Sequence, residues 1–379
     1  MKYKKRQLEP LLREYLASFP VVALTGPRQS GKSTLLRHLL GKEYRYINFD
    51  SLVLREQFYA DPEGFMATYS DKVIFDEAQL VPELFSYIKI AVDEDRQSYG
   101  KFVLSGSSQF HLLQNITESL AGRIGMLDLL PFQLSEVPQR LRKQMVLKGG
   151  YPELVTRDYK NTEIWYDSYI TTYLERDVRQ LARVSDLHDF QRFINLLAAN
   201  VATILDMQRF ATDIGVSIPT IKRWLSFLEA SYIIFLLPPY FSNLGKRITK
   251  RPKLYFWDSG LVCHLVGMET EKQLANNVMS GAIFENHVMS EIFKKEKHAG
   301  SHANFYYYRT SNNVEIDLIV DRKHSKELIE IKFSQTAAPK MYRALSDLQQ
   351  KDATSYLLYC GKAVPHQAIK IMNYQDYLV

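Results

Sequence analysis

The chain has 379 residues, 46% of them hydrophobic and 24% charged, with a formal net charge of +6. These values place it among globular chains long enough for two or three cores, and they exclude a disordered or fibrous class. The mild basicity permits nucleic-acid or acidic partners without requiring them, and Cys263 and Cys360, the only cysteines, argue against a disulfide framework or a cysteine-rich zinc site.

The opening Met1-Lys2-Tyr3-Lys4-Lys5-Arg6 is charged and is not followed by the apolar stretch of a secretory leader. The longest apolar run, Tyr232 to Leu237, stops at Pro238-Pro239, far short of the ~20 residues of a membrane helix. A soluble cytoplasmic protein without membrane contact is the expectation.

Residues 1–135 alternate strands and helices, which predicts a parallel sheet covered on both faces. Val21 to Leu24 reads as its first buried strand. Gly26-Pro27-Arg28-Gln29-Ser30-Gly31-Lys32-Ser33 then fits the pattern G-x-x-x-x-G-K-[ST], and Thr34 to Leu40 reads as a helix stopped by Gly41. Strand, glycine loop and helix set backbone N–H groups around a triphosphate at a helix N-terminus. Gly26 through Thr34 are therefore the expected ATP cradle. Lys32 is expected to reach the β- and γ-phosphates, and the Ser33 hydroxyl to hold Mg²⁺.

Lys72 to Gln79 contains a second signal, the apolar strand Val73-Ile74-Phe75 ending in Asp76 and Glu77. Asp76 is assigned to the metal and Glu77 to general-base work on the attacking water. Further strands are predicted at Tyr46–Phe49, Phe102–Leu104 and Gly125–Leu129. Ser105-Gly106-Ser107-Ser108 follows the fourth strand, where Ser105 or Ser107 could sense the γ-phosphate or form a plain turn. Arg123, just before the fifth strand, admits two roles: stabilising transition-state charge, in its own subunit or a neighbour's, or an ordinary ion pair.

Residues 136–189 read as a helical connector. Its helix Ile164–Ala182 carries Arg176 and Arg179, which could share a face and reach nucleotide or a neighbour. Residues 190–258 read as a winged helix. A helix Leu205–Ile214, a turn at Gly215-Val216 and the N-cap Ser217 lead into a helix Ile218–Ala230 with Thr220, Lys222 and Arg223 on its polar side. Strands Tyr232–Leu237 and Lys253–Trp257 flank a hairpin with Lys246, Arg247, Lys250 and Arg251. The pattern suits major-groove and phosphate contacts with DNA, and it equally suits a lid or a protein interface.

Residues 259–379 hold a second acidic constellation. A helix begins near Ala282 and carries Glu285; strands are expected at Phe305–Arg309, Glu315–Val320 and Leu328–Phe333. Asp317, Glu330 and Lys332 have the spacing of a metal-dependent nuclease core, and Glu330 and Lys332 share a face because they alternate along a strand. The carboxylates, with Glu285 as a third, could hold Mg²⁺ while Lys332 orients the attacking water. The alternative is a nuclease-like fold used for binding or assembly, with Glu330 and Lys332 as an ion pair.

Taken together, these segments resemble a large prokaryotic family of AAA-type ATP-binding proteins. Their C-terminal domain, of uncharacterised function, is similar to PD-(D/E)XK nucleases. The resemblance runs nearly end to end, through Thr25–Ser33, Ile74–Ala78, Leu104–Ser108, Ser119–Arg123, Gly149–Pro152, Tyr173–Val178, Lys253–Leu261, Glu315–Asp317 and Glu330–Lys332. It implies ATP binding and hydrolysis, with Lys32, Ser33, Asp76 and Glu77 at the nucleotide and Arg123 as an arginine finger. Ile316-Asp317 stands where the fuller nuclease pattern has Pro-Asp. The expected fold class is α/β: an AAA-type ATPase domain, a winged-helix middle and a restriction-endonuclease-like end. The expected activity is Mg²⁺-dependent ATP hydrolysis by an oligomer acting on DNA. The alternative is an ATP-controlled switch whose last domain holds a protein partner or DNA without cutting.

Overall fold

Every residue of Val21–Thr25 is buried, and a strand without a solvent-facing side belongs inside a sheet covered on both faces. In the computed structural model, which describes residues 3–106, 119–174, 187–240, 251–310, 314–348 and 353–379, this segment is β1. It lies in a five-stranded sheet with β2 (Arg45–Asn48), β3 (Val73–Asp76), β4 (Phe102–Ser105) and β5 (Ile124–Asp128), ordered β2-β3-β4-β1-β5. All pairings are parallel, so the C-terminal ends of the five strands share one edge. Alternate side chains leave opposite faces of a strand and build two cores. Val21, Ala23, Phe75 and Leu104 enter one, and Val22, Leu24, Ile74 and Val103 the other. β3 and β4 each run one residue past the predicted end, which brings Asp76 and Ser105 onto the strands themselves. β2 and β5 each lie one residue earlier than predicted.

The chain divides into two units, Met1–Phe132 with His298–Gly300, and Gln133–Lys297 with Ser301–Val379. The second begins with short helical turns and a helix Thr162–Tyr169. Asn161 before it is left-handed, with φ 57°, so the helix starts there and not at the predicted Ile164. Its α-helical turns end at Tyr169, and Ile170–Leu174 follows as a wider π-helical turn. Arg176 and Arg179 lie outside the described residues.

Helices Leu187–Ala199, Met207–Ile214 and Ile218–Ala230 come next, followed by an antiparallel pair, β6 (Ile234–Leu237) and β7 (Lys253–Phe256). Asp206 accepts the Arg209 N–H at 3.2 Å, and this cap moves the start of the second helix from the predicted Leu205 to Met207. Ser217 caps the third as predicted, accepting the Thr220 N–H at 3.2 Å. Phe190, Phe193 and Trp224 form the aromatic centre between these helices, with Phe190 edge-on to Trp224 at 5.6 Å.

A long helix, Ser280–His298, leads to a mixed sheet of β8 (Asn304–Arg309), β9 (Glu315–Arg322), β10 (Ser325–Lys332), β11 (Ala353–Tyr359) and β12 (Ile369–Asn373), in the order β12-β11-β10-β9-β8. β9 is antiparallel to both β8 and β10, whereas β10, β11 and β12 run parallel. β11 and β12 are absent from the sequence reading. Apolar residues are present in both, Tyr356 to Tyr359 in β11 and the alternating Ile369 and Ile371 in β12, and the pairing of β11 with β10 and of β12 with β11 fixes their order in the sheet. No helix among the described residues is long and apolar enough to cross a membrane.

Candidate functional site

The loop after β1 depends on two glycines. Gly26 has φ +136°, and a Cβ there would stand 2.2 Å from the Leu129 carbonyl oxygen, so only glycine lets the chain turn beside the end of β5. Gly31, at φ 93°, is the residue before helix Lys32–Leu40, and its missing side chain leaves the helix's first N–H groups open. Lys32 is buried, and its Nζ donates to the Gly26 and Pro27 carbonyls, both at 2.9 Å. Burial pulls its ammonium down to about 8, against the charges of Glu77 and Asp76. Ser30 Oγ is buried with no hydrogen-bond partner among the described residues. A glycine cradle with an orphaned hydroxyl is a fit for phosphate oxygens. Arg28 is half-buried, and Gln29 and Thr34 are exposed.

Asp76, at the end of β3, gathers the neighbouring strand ends. Ser33 Oγ donates to its Oδ2 at 2.8 Å, and the hydroxyls of Ser105 on β4 and Tyr46 on β2 also donate to it. A hydroxyl and a carboxylate in contact at the head of a phosphate loop are the oxygen donors that Mg²⁺ prefers. Ser105 thus braces the carboxylate; Ser107, the other candidate for sensing the γ-phosphate, lies outside the described residues. Glu77 follows in a left-handed conformation, φ 54°, and Gln79 Nε2 donates to its Oε2 at 2.5 Å. A Cβ on Gly106 would lie 2.1 Å from Gln79 Oε1, so this glycine makes room for Gln79. Arg123 grips Asp93 of its own chain through two bonds, Nε–Oδ1 at 2.7 Å and Nη2–Oδ2 at 2.9 Å.

Three residues of this site have no role in the sequence reading. Tyr46 is pushed up to about 12 by burial and by its bond to Asp76, and the Arg37 guanidinium lies 4.0 Å from its ring centre. Gln79 positions Glu77. Arg6 is buried and donates to the carbonyls of Ser30 at 2.9 Å and Leu130 at 2.6 Å, pinning the phosphate loop to the segment after β5. Only Gln79 had a local signal, since it lies two residues after Glu77.

In the second unit, Glu330 and Lys332 do share a face: Lys332 Nζ lies 2.6 Å from Glu330 Oε2 and 3.1 Å from Asp317 Oδ2. The Ile331 N–H also donates to Asp317 Oδ2, at 2.8 Å. Glu285, on the long helix, accepts the Tyr255 hydroxyl at 2.6 Å. Burial, helped by the Asp317 charge, raises Glu330 to about 9 and Glu285 to about 7. Burial also acts on Asp317, but Lys332, Lys253 and the Ile331 N–H outweigh it and hold that carboxyl below its usual range. Among the described residues no group of three or more His, Cys, Asp and Glu side chains is placed to share a metal ion. Lys253 of β7, unassigned in the sequence reading, joins this cluster.

Lys222 and Arg223 are exposed on the third helix. Thr220 is half-buried, with its hydroxyl 2.9 Å from that of Ser217. Arg251 is ion-paired with Asp206 at 2.6 Å. Lys246, Arg247 and Lys250 lie outside the described residues.

Three family models match the chain in succession: an AAA domain at residues 18–138, a domain of unknown function (DUF8612) at 139–272, and another (DUF4143) at 280–377. The chain is 33% identical over 355 residues to the uncharacterized protein Rv2008c of Mycobacterium tuberculosis, covering 92% of this chain and 79% of that one. The uncharacterized protein Mb2031c of Mycobacterium bovis matches to the same extent, 33% over 355 residues with the same 92% and 79% coverage. Among solved structures, the Walker-type ATPase of Pyrococcus abyssi is 18% identical at a TM-score of 0.49, over 70% of this chain and 96% of that one. RuvB of Thermotoga maritima is 14% identical at 0.34, over 62% and 90%. Both scores are too low to carry weight, so the assignment of the first unit as an AAA-type P-loop domain rests on the family model, the strand order and the loop geometry. The chain belongs to the family of these mycobacterial proteins, and its own AAA domain is followed by two domains of unknown function.

Proposed function

We propose that this protein is a Mg²⁺-dependent ATPase whose hydrolysis is coupled to DNA. The contact between Ser33 and Asp76 beneath a glycine cradle carries the reading, because it joins the two oxygen donors of a metal–triphosphate site. The backbone N–H groups of Gly26 to Thr34 would hold the phosphates, and Lys32 would leave the loop carbonyls for the β- and γ-oxygens. Mg²⁺, held by Ser33 and Asp76, would neutralise phosphate charge. Glu77 accepts the proton of the attacking water. We read the three helices with β6 and β7 as a winged helix; exposed Lys222 and Arg223 favour phosphate contacts. Arg123 is released from Asp93 and completes a neighbouring subunit's site in an oligomer.

Phosphate release without DNA and with duplex, single-stranded and four-way-junction DNA tests the coupling. Stimulation by one form, weakening steeply with salt, supports it. A flat response in a protein that sediments as a monomer with ATP and DNA removes both the DNA coupling and the shared site.

For the last unit a second reading has the better support. β8 to β12 are nuclease-like in our reading, but their carboxylates are already paired with ammonium groups. A binding module that holds DNA or a protein without cutting it fits that pairing, and an unchanged substrate after incubation with Mg²⁺ is the expected result.

A further inference from the structure

The carboxylates that the sequence pattern offers to a metal already hold cations of the chain's own. Lys332 covers Asp317 and Glu330, as its place in the strand predicts. Lys253 comes from a different element, β7, more than thirty residues before the first carboxylate it meets. Its side chain is only 5% exposed. Its Nζ lies 3.5 Å from Glu285 Oε1 and forms an ion pair with Glu315 Oε1. Tyr255, two residues along the same strand and so on the same face, donates its hydroxyl to the same Glu285 oxygen at 2.6 Å. β7 thus delivers an ammonium and a phenol together to one carboxylate.

A buried ammonium is costly unless paired, and here the pairing is with the group that a divalent cation would require. Such a cation needs several oxygens turned to one point, with water completing its shell. Lys253 and Tyr255 instead draw Glu285 toward β7, while Lys332 draws Asp317 and Glu330 together.

We propose that Lys253 is a tethered cation, which takes a metal ion's place beside Glu285 and Glu315 and keeps divalent cations off the Glu285–Asp317–Glu330 cluster. The inference concerns the last unit alone and stands apart from nucleotide hydrolysis.

The test is a Mn²⁺ titration of the full-length, nucleotide-free protein, followed by the loss of the free-ion EPR signal. Wild type and Asp317→Asn should give coincident isotherms, and any ion held by Ser33 and Asp76 is common to both. Lys253→Met keeps the apolar stem and removes the charge. It should gain one site at least ~10-fold tighter, lost again in Lys253→Met/Asp317→Asn, whereas Lys253→Arg should behave as wild type. The proposal is overturned if wild type binds Mn²⁺ at a site that Asp317→Asn removes. It is also overturned if Lys253→Met melts as a folded protein and gains nothing. Should Lys253→Met fail to fold, the comparison of wild type with Asp317→Asn decides alone. Phosphate release by Lys253→Met separates this outcome from any failure of the ATPase reading.

Discussion

The Ser33 hydroxyl donates to Asp76 Oδ2 at 2.8 Å, joining the first turn of the phosphate-loop helix to the end of β3. In the proposed site both oxygens would hold the metal, so Ser33→Ala should weaken binding of the Mg²⁺–ATP complex by ~10-fold, equivalent to ~1.4 kcal/mol. Binding of ATP in excess chelator should hardly change, because the N–H cradle and Lys32 remain. Titration with a fluorescent ATP analogue, with and without Mg²⁺, separates the two. Equal losses under both conditions would assign Ser33 to the phosphates and not to the metal.

Glu77 is fixed by Gln79, whose amide donates to it at 2.5 Å. Glu77→Gln should bind ATP as wild type does and hydrolyse it at least ~100-fold more slowly, within the range of a lost general base. Gln79→Ala should lower kcat severalfold with little effect on ATP affinity, because it loosens the base and leaves the cradle alone. Single-turnover hydrolysis with a parallel binding curve is the measurement. An unchanged rate in Glu77→Gln would remove Glu77 from the base role.

Glu330 supplies a pH dependence. Burial and the Asp317 charge raise its carboxyl from 4.5 to about 9 in the fold. The folded state therefore binds this proton more tightly than the unfolded chain. Its stabilising effect is complete at low pH and is lost as pH rises through about 9. The midpoint of thermal unfolding should fall from about pH 5 to about pH 9 more steeply in wild type than in Glu330→Gln, which has no proton to lose. Parallel curves for the two proteins would mean that Glu330 titrates alike folded and unfolded.

Asp258 makes a stability prediction. It caps helix Ser259–Leu265 through the Leu261 N–H at 2.9 Å, and it accepts the Gly150 N–H at 2.7 Å and the Tyr166 hydroxyl at 2.6 Å. Gly260 allows the close approach, since a Cβ there would lie 2.5 Å from the Gly149 nitrogen. Asp258→Ala strands three buried donors and should cost ~3 kcal/mol or more. Asp258→Asn, which keeps one acceptor oxygen, should cost less. Urea unfolding of the two variants gives the order, and equal losses would show that the charge, not the acceptor geometry, matters.

Much of the nucleotide site was legible because its signals are local. Gly26 to Ser33 are contiguous, Asp76 and Glu77 end one apolar strand, and the strand–loop–helix order fixes where the loop must lie. Tyr46 and Arg6 were not legible, because each meets its partner only through the sheet: Tyr46 through the pairing of β2 with β3, Arg6 through the return of the chain after β5. In the last unit, alternation along β10 gave Glu330 and Lys332 their common face. Lys253 looked like an ordinary strand residue, and only the tertiary fold sets it against Glu285 and Glu315. β11 and β12 went unread although Tyr356 to Tyr359 and the alternating Ile369 and Ile371 are apolar; a local pattern marks them as strands, but only pairing sets their order beside β10.

Phosphate release from ATP by wild type, Lys32→Ala and Glu77→Gln, each with and without Mg²⁺, tests the central claim most directly. The account predicts turnover by wild type only with Mg²⁺, none by Lys32→Ala because nucleotide is not held, and bound but uncleaved ATP in Glu77→Gln. Turnover by Lys32→Ala equal to that of wild type would contradict it.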